Sequence, residues 1–140
     1  MKKKGFSLLE ILFVLAIITI IITVAVSKFD TAFAKTNITK IKSDVLQIRA
    51  AITLKKNKMI LKNQNETLEK LDDNDQNLFN LILDVPIIAT TSQKQNSWSK
   101  QSDTTYKVYM ENSFVLFTYD ANSFSFDCDI ANPLCKKLNL

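Results

Sequence analysis

The sequence predicts an α+β protein in which one long N-terminal helix packs on a small antiparallel β-meander. Three observations predict it. The 21 residues from Phe6 to Val26 hold one charge, Glu10, apolar residues recur at three- and four-residue spacing as far as Ile52, and from Thr104 the period falls from 3.6 to 2. The 140-residue chain carries a net +4, no histidine and one glycine, Gly5. Those absences exclude His-based triads, His metal sites and glycine-rich phosphate loops, so the chain is not read as an enzyme and no cofactor is expected.

The apolar run comes first. At about 1.5 Å per residue, 21 helical residues span about 30 Å of hydrocarbon, enough to cross a bilayer. Lys2, Lys3 and Lys4 precede it, and cytoplasmic flanks carry the excess of Lys and Arg. The expected topology is therefore a single pass through the inner membrane, with a cytoplasmic N-terminus and residues 28–140 periplasmic or otherwise extracytoplasmic. A cleaved secretory signal is the competing reading, since Ala32-Phe33-Ala34 has the small residues of a cleavage site. Against it, a signal core is about 7–15 residues, shorter than this run, and carries no carboxylate.

Glu10 narrows the choice. A carboxylate at the centre of a membrane helix costs about 2.5–3.5 kcal/mol on insertion scales, and less near the interface, so such a group usually has a partner. The stretch Lys4-Gly5-Phe6-Ser7-Leu8-Leu9-Glu10 resembles the cleavage and methylation signature of type IV pilins and pseudopilins. The resemblance implies that a membrane-embedded prepilin peptidase cuts after Gly5 and methylates the new amine of Phe6. It also implies that Glu10 is the stem carboxylate that pairs with such an amine, on its own chain or a neighbour's, and so sets the register of filament assembly. The alternative for Glu10 is a side chain that snorkels to the headgroups. Other pilin or pseudopilin subunits and an inner-membrane assembly platform are the remaining implied partners.

The stem departs from the major pilins in lacking an internal glycine and proline. It places Thr19, Thr23 and Ser27 on one helix face instead. These hydroxyls either bond back to carbonyls one turn earlier or reach a neighbouring stem. The expected organisation is a leader at 1–5, a transmembrane stem at 6–27, an extracytoplasmic amphipathic helix at 28–62, a connecting segment at 63–103, and a sheet with a disulfide-bonded C-terminal loop at 104–140.

In the second segment Ile38, Ile41, Val45, Ile48 and Ile52 form a helix stripe, and no Pro or Gly interrupts the helix before about residue 60. The stripe is expected to pack on the protein's own head, because the heptads fail at Lys55 and a coiled coil needs more of them. Charge is segregated: residues 28–62 hold nine Lys and Arg against two Asp, while residues 63–140 hold six Lys against eleven acids. A basic stalk beneath an acidic head suits pairing between subunits, anionic headgroups or, with weaker support, DNA; a solvated helix face is the plainer reading.

Asn77–Leu83 reads as a short amphipathic helix with Asp75 as N-cap and Pro86 as stop. Asp72-Asp73-Asn74-Asp75 lacks the glycine and distant glutamate of a calcium loop, so it is taken as a capping loop and no metal is expected. Residues 89–103 read as a polar loop with Trp98 turned into the core. Thr104–Met110, Ser113–Tyr119 and Ser123–Phe126 read as three strands of a meander, one face of which must be buried because a bare meander is marginal in water. Cys128 and Cys135 are the only cysteines. Outside the cytoplasm a disulfide is their expected fate, with two free thiols as the alternative. A C-terminal disulfide loop is also similar to that of many pilin heads.

The functional expectation is a pseudopilin or minor pilin, a structural subunit of a periplasm-spanning filament serving type II secretion or DNA uptake. A major type IV pilin of an adhesive or motility fibre is the first alternative. An unrelated single-pass protein with a periplasmic binding head is the second.

Overall fold

The computed structural model describes residues 8–63, 67–110 and 113–139, with 26–35 by backbone alone. It is α+β, and the chain divides into two compact units, Met1–Lys35 and Thr36–Leu140. Helix α1 runs Leu8–Leu61. It ends where Asn63 takes a left-handed conformation (φ 53°) and its N–H bonds to the Ile60 carbonyl at 3.0 Å. With no glycine after Gly5, the described left-handed positions fall on Asn63, Asn96 and Asn139, where a short polar side chain tolerates positive φ best after glycine, and on Phe79 and Phe124, where it is less tolerated.

In the second unit, Ile41, Val45, Ile48, Ile52 and Met59 of α1 are buried, and they belong to one cluster with the inner face of the sheet. That sheet has four antiparallel strands in sequence order: β3 (Trp98–Lys100), β4 (Thr105–Met110), β5 (Ser113–Asp120) and β6 (Ser125–Cys128). Alternation sets which side chains point inward. Tyr106, Val108 and Met110 of β4 are buried with Val115, Phe117 and Tyr119 of β5, while Phe114, Leu116 and Thr118 face out. The Tyr119 hydroxyl donates to the Leu68 carbonyl at 2.8 Å, which fastens the segment after α1 to the sheet.

Three expectations change. The meander has four strands, because Trp98–Lys100 pairs with β4 in the register Trp98↔Val108, Ser99↔Lys107, Lys100↔Tyr106. Its Ser and Lys side chains hid it among loop residues, although Trp98 is in the core as expected. Asn77–Leu83 is not a helix. A two-residue strand β1 (Asn77–Leu78) pairs with β2 (Ile87–Ile88), and the chain then turns at Phe79 (φ 63°). Side chains hold the amides of the segment that replaces it: Asn74 Oδ1 accepts from Gln76 and Asn77 N–H at 3.1 and 2.7 Å, and Asp72 Oδ2 from Phe79 N–H at 3.4 Å. The tail carries a helix that periodicity could not show, α2 (Pro133–Leu138), whose N-cap Asn132 accepts from Leu134 N–H. Asn-Pro at an N-cap and first helical position was a local signal for it.

Candidate functional site: the stem and the tied head

Leu8–Ala25 is the segment long and apolar enough to cross a membrane among the described residues, with a mean hydropathy of 2.9. Its large side chains are exposed along their whole length, as a lipid-facing or subunit-facing surface must be. The two described hydroxyls are satisfied within the helix, Thr19 Oγ1 bonding to the Leu15 carbonyl and Thr23 Oγ1 to the Ile20 carbonyl. This is the back-bonded arrangement for both threonines, and the Ser27 side chain lies outside the described residues. Glu10 stands exposed in the first turn, in a shallow cleft with Ile11, Val14 and Leu15. Gly5 and Phe6 lie outside the described residues.

In the head, the acidic loop meets a lysine. Lys100 Nζ lies 2.9 Å from Asp72 Oδ1, 3.1 Å from an Asp103 oxygen and 3.3 Å from an Asp75 oxygen. Asp72 is fully buried, and the ammonium occupies the point where the three carboxylates converge. The Asp72 carboxylate raises the Lys100 pKa far above the usual lysine range, with Asp103 and Asp75 adding to it and partial burial opposing. Burial, and then Asp72, likewise holds the Tyr106 phenol neutral. Asp73 and Asn74 serve the loop itself: Asp73 is held below its ordinary value chiefly by the Asn80 carboxamide. The open groove beside Lys100, lined by Gln76, Ala89, Thr90, Ser99 and Asp103 among others, is more polar than apolar and lacks the predominantly apolar walls of a small-molecule site.

Basic residues of α1 fix the far end of the sheet. Arg49 Nε–H donates to the Phe126 carbonyl at 2.9 Å and its Nη2 pairs with Asp127, so the outer edge of β6 is covered by a side chain. Lys42 Nζ donates to the Asn139 carbonyl at 3.0 Å, a cation placed at the C-terminal end of α2. Nearer the middle, Trp98 Nε1–H bonds to Asp44 Oδ2 at 3.1 Å; burial nevertheless pushes the Asp44 carboxyl upward, opposed by that bond and by Lys40. Part of the basic stalk is thus committed to its own head.

Cys128, at the end of β6, is bonded to Cys135 in α2. Replacing both by serine is expected to lower stability by about 2.5 kcal/mol, the chain-entropy value for an eight-residue loop. Urea unfolding of the detergent-solubilised chain, with and without reductant, checks it: the oxidised wild type should lose the same amount on reduction, and the variant nothing.

The prokaryotic N-terminal methylation motif matches residues 1–26 of the chain by its family model. No curated protein and no solved structure matches.

Proposed function

We propose, for a chain whose matched methylation motif supports the type IV pilin and pseudopilin family, that it is a minor pilin or pseudopilin built into a short filament across the periplasm. The motif supports a prepilin-processed protein, and the apolar helix with it supports a single-pass membrane anchor. The observation that carries the finer reading is the character of the stem: an exposed apolar helix in which, among the described side chains, the hydroxyls are self-satisfied and Glu10 is left as the unquenched polar group.

In this reading prepilin peptidase cuts between Gly5 and Phe6 on the cytoplasmic side and the Phe6 amine is methylated. That amine is a cation at membrane depth, and Glu10 is its counter-ion. Leaving either buried charge alone is far costlier than pairing them, so a stem finds its stable position where amine and carboxylate meet. The absence of proline and glycine from the stem favours a minor or machine-bound subunit over a major fibre pilin. Type II secretion and DNA uptake are both open to such a subunit.

The test is direct. Mass spectrometry of the protein from cells should give a methylated Phe6 terminus, five residues short of the translated chain. Gly5→Val should abolish that form, and Glu10→Ala should leave cleavage intact while stopping assembly. An unprocessed Met1 in assembled material, or normal assembly of Glu10→Ala, overturns the reading. Comparing transformation with protein secretion in a deletion strain then assigns the machine.

A further inference from the structure

Opposite the stripe that α1 buries on its own sheet lies a second apolar stripe. Leu46, Ala50, Leu54 and Leu61 sit at i, i+4, i+8 and i+15, roughly 140–220° around the helix from Ile41. Leu54 and Leu61 are 71% and 87% exposed, and Lys58 and Lys62 stand exposed beside them. Nothing among the described residues of the head covers this side. Its partner is constrained by charge, because residues 36–62 hold seven Lys and Arg against Asp44 alone. Laying this face on the same face of another copy would stack like charges, so helix-to-helix pairing here is disfavoured.

The complement is on the other edge of the head. The register Asn77↔Ile88 and the Ala89 N–H bond to the Gln76 carbonyl at 2.7 Å draw β1 and β2 into one corner. Val85 and Ile88 protrude there, 81% and 67% exposed, and Asp73 and Asp84 are exposed in the segments that lead into the two strands. Lys70 acts on Asp73 there, so Asp84 beside Val85 carries the acidic character of this apolar corner, where the helix side is apolar and basic. The exposed Ile130 loop is the poorer match, since Asp127 is already held by Arg49 and two lysines follow at 136 and 137.

We propose that the outward side of α1, around Leu54 and Lys58, receives the β1–β2 corner of a second copy, around Val85 and Asp84. The contact is heterologous, with stalk side meeting head corner, so it can repeat from copy to copy, and in the filament reading its rotation does not close and the repeat is an open helix. It rests on the filament reading and adds to it which surfaces touch.

The test uses the full-length chain in cells. Leu54→Cys and Val85→Cys are made as separate variants, co-expressed, and the sheared filament fraction is oxidised and run without reductant. A dimer from the mixed pair, absent when either variant is expressed alone, is the expected result. In parallel, Lys58→Glu and Asp84→Lys should each reduce filament yield, and the two together should restore it. Filaments that form without the mixed dimer, or a dimer from Leu54→Cys alone, overturn the contact while leaving the filament reading intact. If the wild-type chain enters no filament, the proposed function fails and the contact falls with it.

Discussion

Lys100→Met is expected to destabilise the head by about 3–5 kcal/mol, because it removes the cation that faces a fully buried Asp72. Asp75 and Asp103 are exposed and can turn to water, so they lose little. Asp72 cannot turn away, since its other oxygen holds the Phe79 amide. Asp72→Asn added to Lys100→Met should recover much of the loss, as the carboxamide keeps that acceptor without the charge. Thermal melts by circular dichroism measure both; a single variant that melts with the wild type would show that the ion pair contributes nothing net.

The same cluster fixes a pH dependence. The folded protein binds the Lys100 proton more tightly than the unfolded chain does, so its contribution is complete below the usual lysine value of 10.5 and is lost as the pH rises through the raised one. Wild type should therefore lose stability at strongly alkaline pH, and Lys100→Met should show a flatter alkaline limb.

Phe79→Ala carries the second large effect, again about 3–5 kcal/mol. Phe79 is fully buried, with ring centroids 4.5 Å from Tyr106, 5.7 Å from Phe126 and 5.8 Å from Trp98. It joins three strands of the sheet through one side chain. Its backbone is left-handed, which is unfavourable by about 1–2 kcal/mol for a residue with a Cβ, so the ring contacts must outweigh a local penalty. Alanine keeps the penalty and loses the contacts. Urea unfolding should show a midpoint shift consistent with a large core cavity, whereas a shift no larger than that of a surface substitution would deny Phe79 its central role.

Phe79 also marks the limit of what the sequence makes legible. Periodic features were readable: Ile41, Val45, Ile48 and Ile52 are buried as their spacing requires, and the alternation of β4 and β5 places Tyr106, Phe117 and Tyr119 inside. The stem signature was readable because Lys2, Lys3 and Lys4, Gly5, Phe6 and Glu10 fall in fixed order, and the methylation motif matches over residues 1–26. Asn77–Leu83 misled because its apolar residues fit a helical period, while Asn77 and Leu78 pair with Ile88 and Ile87 and Phe79 turns left-handed, which no periodicity reports. Lys100 was invisible for a different reason. It is one lysine in a polar stretch, and its buried partner lies 28 residues earlier, just as Arg49 meets Asp127 across 78 residues. Long-range pairs leave no local pattern.

Trp98 is the chain's single tryptophan, and it is buried at the seam between α1 and β3 with its indole N–H on Asp44. The stem contains no tryptophan, so the intrinsic emission of the whole protein arises from the head alone, whether the stem lies in detergent, lipid or a neighbouring copy. The molecule thus carries an optical reporter that ignores its anchor. A red shift signals loosening of the helix–sheet seam, and emission that stays constant through assembly signals a head that docks without rearranging.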